Sequence, residues 1–267
     1  MIRRTRELAV FVLLVGSATA SPQPATCQGA KFPAQFAHSV RLDGSITPDT
    51  TNSVVAGLSN QPNALVVNSF GGDDLSAIRL AQLIERLHTT VVVNGVCMSA
   101  CAEYLFLAAP KRIVLGNSLV VFHHSPDSLL ALADGRTKTK LNQTYGGSAR
   151  LGDALLRRAG VAPAILLRAQ VEMKTLCWLT RPTNDASASD VFYESHFAGW
   201  VPSRQTLASY GASVEGYWPH SSAELDQTIR QLTRRSVRIA FGKLNRAASS
   251  ASTDIDALRQ VPACPIN

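Results

Sequence analysis

Three local features of this sequence combine residue types and spacings that could do chemistry. Asn68-Ser69-Phe70-Gly71-Gly72 follows directly on the apolar run Ala64–Val67. Paired glycines at a strand end permit positive φ and let a ligand come close to backbone N–H groups. Gly95-Val96-Cys97-Met98-Ser99-Ala100-Cys101 leads into Tyr104-Leu105-Phe106-Leu107-Ala108-Ala109, a helix so apolar that it must be buried. Ser99 would stand at its N-terminal end, among free backbone donors and at the positive end of the helix dipole. His123-His124 closes a third apolar run, Leu119–Phe122. A serine nucleophile needs a base within about 2.6–3.2 Å, and His123 is the candidate. Each feature also has a plainer reading: a turn, an N-cap serine, a satisfied core histidine. Cys101 is an alternative nucleophile. Side chains alternate along a strand, so His124 is expected to face away from His123.

The elements that must position these residues alternate in type. Strands are expected at Ser39–Leu42, Ala64–Val67, Thr90–Val93, Ile113–Leu115 and Leu119–His123. Helices are expected from Pro48 through Leu58, from Leu75 to His88, and from Ser99 to Ala109. The strands are apolar throughout rather than alternating, as in the centre of a sheet covered on both faces. Residues 126–148 are polar and read as a loop or loosely packed excursion. Helix is expected again at Ser148–Arg158, from Pro163 to Leu176, and over Ser221–Asn245, the last capped by Ser222.

Taken in order, Asn68-Ser69-Phe70-Gly71-Gly72, Gly95-x-x-x-Ser99 and Asn117-Ser118-Leu119-Val120-Val121-Phe122-His123 resemble the ClpP-type serine peptidases of the ClpP/crotonase superfamily. The Cys-x-Ser-Ala-Cys centre resembles their exported bacterial relatives, and Arg41-Leu42-Asp43-Gly44-Ser45-Ile46-Thr47 resembles the family's first strand and turn. The resemblance covers about residues 39–200. It implies an α/β, ClpP/crotonase-like fold of stacked strand–helix units at 38–203, with a helical C-terminal extension at 204–267. It places the nucleophile on Ser99, the base on His123, and the oxyanion donors on the backbone N–H groups of Gly71 and Ala100. Phe70 stands where the peptidases usually have proline. The acidic residue that orients the histidine falls, counted from Gly160, on Met173, which leaves Glu172, Asp185 and Asp190 as candidates. Cys101 and Glu103 replace the small residues usual after the nucleophile. The insertion 126–148 stands where the peptidases carry the helix and handle that assemble rings, which argues against compartmentalised degradation.

The expected activity is a serine hydrolase, in particular a peptidase working by Ser–His acyl transfer on a peptide or protein substrate. The rate would rise with pH through an ordinary histidine near 6–7. The alternative is a non-catalytic ClpP-like envelope protein that binds a peptide or protein partner. No cofactor or metal is expected, since Cys97, Cys101, Cys177 and His123 lack regular zinc-ligand spacing.

Composition bounds the rest. With 46% hydrophobic and 17% charged residues in 267, the chain is too apolar for a disordered one. A net charge of +7 that forms no block does not indicate nucleic-acid binding. Arg3, Arg4 and Arg6, the apolar stretch Leu8–Val15 and Ala18-Thr19-Ala20 read as a signal peptide over 1–20, followed by an extended leader at 21–37. The mature chain would be periplasmic or secreted, without a stable membrane span, and compatible with a homo-oligomer. Export would also keep it from coenzyme-A substrates. Of five cysteines, Cys27 and Cys264 lie at the two ends of the mature chain, and their bridge is expected, with Cys97–Cys101 next in line.

Overall fold

The computed structural model describes residues 34–265, except 61, 134, 183–188, 234–236 and 243–250. The expected signal peptide, most of the leader, Cys27 and Asp185 lie outside the described residues. The described residues belong to one compact unit. It is an α/β structure built on a parallel sheet. The strands are β1 (Ser39–Asp43), β2 (Ala64–Ser69), β3 (Thr90–Met98), β4 (Lys111–Val114) and β5 (Leu119–Val121). Helices α1 (Pro48–Leu58) and α2 (Asp74–Leu87) connect the first three. Their ends follow local chemistry. Thr47 and Thr50 form a capping box on α1, Asp73 caps α2 through Ser76 N–H, and His88 ends α2 in the left-handed region.

The sheet order is β1-β2-β3-β4, with the short strand β9 (Glu215–Gly216) beyond β4, and β5 also pairs with β3. Both are possible because β3 changes partner midway. Thr90–Val93 pairs with β4, whereas Val96–Met98 pairs with Leu119–Val121. The break falls at Gly95, whose φ is +122°. Two side chains satisfy the backbone there: Ser118 Oγ accepts from Gly95 N–H at 2.9 Å and Asn68 Oδ1 from Val96 N–H at 3.0 Å. The expected strand Thr90–Val93 thus runs on through Gly95 to Met98, where a turn was expected, and the break carries its C-terminal end, with Ser99, toward β5.

After Ser99 the chain enters a helix whose centre, Cys101–Phe106, is π-helical and fully buried. A π-helix leaves unusual carbonyls at its end. Arg112 on β4 is buried against them, donating to Phe106 O at 2.9 Å and Leu107 O at 2.5 Å. Burial lowers its pKa to about 10, which leaves it charged at neutral pH.

The segment 126–148 departs from its reading as a loop. It forms α3 (Pro126–Leu132) and most of α4 (Gly135–Arg158), so the premise that this insertion lacks helix falls. Its inward stripe includes Leu141, Ser148, Ala149, Leu155 and Leu156, correct in period but low in hydropathy. Gly152 belongs to the same stripe, and a Cβ there would lie 2.7 Å from Tyr104 Cε1, so α4 can press against the buried helix.

Residues 204–267 are not simply helical. Beyond α5 (Ala164–Glu172) and the antiparallel pair β6 (Thr175–Pro182) and β7 (Ser189–Ser195) come β8 (Trp200–Pro202), α6 (Arg204–Ser209) and β9 (Glu215–Gly216). β9 extends the main sheet beside β4. The expected helix Ser221–Asn245 stops early: α7 spans Ser222–Leu232, and β10 (Ala240–Gly242) pairs with β8. The run Val237, Arg238, Ile239 carries β-branched residues that favour extended backbone. The last element is α8 (Ala251–Arg259).

The cysteine pairing also differs from expectation. Cys264 is bonded to Cys177, with Cα atoms 4.8 Å apart, and not to Cys27. The tail is laid on β6 by its backbone: Trp178 N–H donates to Pro262 O and Cys264 N–H to Trp178 O, with Trp178 Nε1–H on Val261 O. Cys97 pairs with Cys101, leaving Cys27 as the odd cysteine. A loop of 87 residues closed by Cys177–Cys264 is worth at most about 4–5 kcal/mol by chain entropy. Non-reducing peptide mapping should recover Cys177–Cys264 and Cys97–Cys101 peptides, and Cys264→Ala should lower the urea midpoint. A peptide joining Cys27 to Cys264 would contradict this pairing.

Candidate active site

Ser99 occupies the turn between β3 and the buried helix with φ +59°, a region that a residue with a Cβ enters at a cost of about 1–2 kcal/mol. The plainer reading, an N-cap serine, is not what the structure shows. Ala100 stands at the helix cap without a side-chain hydrogen bond, and the Ser99 hydroxyl makes none among the described residues. Its backbone is fixed instead. Ser99 N–H donates to Val121 O at 3.3 Å, and Ser99 O accepts from Glu103 N–H at 2.9 Å.

The glycine turn closes on this point. Gly71 has φ +94°, and a Cβ built on it would lie 2.5 Å from Ser99 Cβ, 2.7 Å from Met98 O and 3.0 Å from Ala100 N. The turn is held in place from the other side, with Ile46 N–H on Gly71 O at 2.8 Å and Asp73 N–H on Ile46 O at 2.9 Å. Gly71 N–H donates to Ser69 Oγ at 3.1 Å. Ala100 N–H belongs to the first turn of its helix and has no i−4 partner within it. The structure therefore brings Gly71, Ser99 and Ala100 together.

The Cys97–Cys101 disulfide brackets Ser99, joining β3 to the first residue of the π-helix. Both cysteines are fully buried. Cys101, the alternative nucleophile, thus carries no thiol, and neither residue offers a thiolate to zinc.

His123 lies two residues beyond Val121, whose strand partner is Met98, so it leaves the sheet beside Ser99. Its ring is not hydrogen-bonded to Ser99 among the described residues. Nδ1 of His123 meets Nδ1 of His124 at 2.5 Å, with ring centroids 3.9 Å apart. The expectation that the two rings face apart fails because β5 ends at Val121, before the pair, and strand alternation does not reach them. His124 Nδ1 also meets the Tyr193 hydroxyl on β7. Burial pushes the His123 pKa down to about 3, with the nearby His124 adding to it, and burial pushes His124 down to about 4. Both rings are neutral at pH 7.

Glu172, the candidate third residue, is bonded to Arg168 at 2.5 Å, and Arg168 also reaches Asp254. It lines a cavity with Lys174, Asp226, Arg230 and Arg238 and makes no hydrogen bond to His123 among the described residues. Asp190 stands on β7 opposite Arg181. Met173 is buried at the end of α5.

The acid that the structure does bring to His123 is Glu103. It is 1% exposed and accepts the His123 backbone N–H, while its Oε1 has no partner among the described residues. Burial, then the neighbouring Asp74 and Asp127, push Glu103 well above the usual carboxylate range. Asp74 is raised to about 6, by burial and Asp73, and Asp127 to about 7, by burial and Asp153. Gly71, Ser99 and His123 are each followed, three or four residues on, by one of these acids. That spacing was visible in the sequence. The partnership of His124 with Tyr193, 69 residues away, left no local signal. No protein-family model and no curated protein matches the chain.

The close approach of Gly71 is directly testable. Gly71→Ala adds a Cβ where there is no room and fixes φ where alanine is strained, at a cost of about 1–3 kcal/mol for the backbone alone. Thermal unfolding should show a clear loss of Tm. Gly116→Ala, where a Cβ meets nothing within 4 Å, should change it little. Equal Tm values for the two variants would contradict the geometry.

Proposed function

We propose that the protein is an exported serine hydrolase of ClpP/crotonase-like fold that cleaves an acyl bond, in particular an amide in a peptide. The observation that carries this reading is Ser99 itself. A serine held at φ +59° between a strand and a buried helix, without a capping bond and against a glycine backbone, serves no evident structural purpose. In the proposed reaction Ser99 Oγ attacks the acyl carbon and His123 Nε2 takes its proton. The oxyanion would be met by Ala100 N–H and by Gly71 N–H, which would exchange its bond to Ser69 Oγ for the oxyanion, one such donor being worth roughly 3–4 kcal/mol. The tetrahedral intermediate then collapses, and the departing amine or alcohol takes the proton from His123. Water repeats the sequence to release the acid and restore Ser99.

Export is supported by the two disulfides, which persist in oxidising compartments. Among the described residues no helix is long and apolar enough to cross a membrane. The second reading, a non-catalytic domain that binds a peptide, is favoured by one observation: the Ser99 hydroxyl is not hydrogen-bonded to His123.

A serine-reactive fluorophosphonate should label the wild type and not Ser99→Ala, and His123→Ala should slow labelling on the order of 10²–10⁴-fold. The pH profile should depart from the ordinary histidine limb near 6–7. The base is the neutral ring, whose pKa is lowered to about 3, so the rate should stay level from pH 8 down to about pH 5. Labelling that survives Ser99→Ala, or is absent from the wild type, would reject the hydrolase.

A further inference from the structure

We infer that His124 is the positioning residue for the base, holding the Nδ1 side of His123 where a triad would place a carboxylate, with Tyr193 holding His124 in turn. The inference rests on the proposed Ser99–His123 chemistry and deepens it.

The argument begins with the backbone. Phe122 is bonded to Trp200 in both directions, N–H to O at 2.9 Å and O from N–H at 2.7 Å, so the chain leaves the sheet at a fixed point. Three residues on, Ser125 and Ser128 form a buried capping box that fixes the start of α3. His123 and His124 are the short link between two anchored ends. Their rings meet edge to face, at 74°, and His124 meets Tyr193 at 67° with centroids 5.3 Å apart.

The proton count then selects a tautomer. Two neutral imidazoles that meet through Nδ1 atoms share one N–H between them. If His124 supplied it, His123 would carry its own proton on Nε2 and could not accept one from a serine. If His123 supplies it, Nε2 keeps its lone pair and is a base. The proposed chemistry at Nε2 requires the second arrangement. Burial and the neighbouring Glu103 raise the Tyr193 pKa, so that side chain stays a phenol with a proton to donate. With its single lone pair, His124 Nδ1 then accepts the His123 Nδ1–H, and the Tyr193 hydroxyl shares that lone pair in a three-centre contact that holds the His124 ring.

No acid takes this role among the described residues. Glu103 reaches the His123 backbone and not its ring, Asp74 and Asp127 surround Glu103, and Glu172 is held by Arg168. His124 sets orientation and tautomer without supplying a negative charge to the imidazolium. In a known serine protease the wrong tautomer alone costs about 10⁴ in kcat.

The direct test is ¹⁵N NMR of the imidazoles in the wild-type protein, which reads the tautomer whether or not the protein has activity. His123 should be protonated at Nδ1 and bare at Nε2, with His124 Nδ1 an acceptor. His123 protonated at Nε2 would overturn the inference. His124→Phe keeps a ring and removes the acceptor. It should slow fluorophosphonate labelling by about 10²-fold and raise the pH of its acid limb, because the nearby His124 no longer depresses His123. His124→Asn, which restores an acceptor oxygen, should recover part of the rate. Tyr193→Phe should slow labelling by less than His124→Phe. A folded His124→Phe protein with unchanged rate and pH limb would reject His124 while leaving Ser99 and His123 as they stand. Loss of Ser99-dependent labelling from the wild type would reject the hydrolase, and the tautomer would still decide the His123–His124 pair. If His124→Phe does not fold, the wild-type tautomer and Tyr193→Phe decide it.

Discussion

A backbone-to-backbone approach that leaves no room for a side chain governs the Ser99 end of the sheet. The Gly71 turn lies so close to Met98, Ser99 and Ala100 that a single Cβ would overlap two of them. That closeness puts two N–H-bearing segments side by side next to a hydroxyl. It depends on the hydrogen bonds from Ile46 and Asp73 that clamp the turn from behind. It also depends on the change of partner in β3 at Gly95, which turns the Ser99 end of the strand toward β5. A flat, continuous strand would keep β4 along its whole length and leave no place for His123.

Buried polar groups carry the rest of the arrangement. The π-helix after Ser99 is wholly inside the protein, so its ends must be satisfied locally. Arg112 does this at the C-terminal end, and the Cys97–Cys101 disulfide ties the N-terminal end to β3. Glu103, in the first turn, is an acid in a position where a charge is costly, and burial raises its pKa while the His123 N–H works against that shift. The two histidines respond to the same dry surroundings in the opposite direction and stay neutral. The proposed acyl transfer would use His123 in this neutral form, beside a neutral neighbour.

The parts of the fold that were legible in the sequence are those in which local propensity and burial agree. The strands Ala64–Val67 and Thr90–Val93 are apolar because both faces are covered, and α2 ends at His88 as its periodicity indicates. Residues 126–148 were misread because the buried stripe of α4 is built from serine, alanine and glycine as well as leucine. There the close approach of helices replaces hydropathy as the signal. The tail was misread for a different reason. β9 and β10 are very short strands that exist only because β4 and β8 offer partners, and Cys264 reaches Cys177 only because Trp178 binds the tail. At the site, Gly71, Ser99 and His123 stood out by type and spacing, whereas Ala100 came only from the resemblance to the ClpP-type peptidases. His124 was set aside by an alternation rule that stops applying one residue before it can matter, at the bridge of Phe122 to Trp200.

The central claim is that the closeness of Gly71 to Ser99 and Ala100 forms an oxyanion site. A crystal structure of the protein after reaction with a fluorophosphonate tests it most directly. The account predicts phosphorus bonded to Ser99 Oγ, with the phosphonyl oxygen about 2.7–3.1 Å from both Gly71 N and Ala100 N. An adduct whose phosphonyl oxygen points away from both nitrogens, or an unmodified Ser99 in protein that has reacted elsewhere, would contradict it.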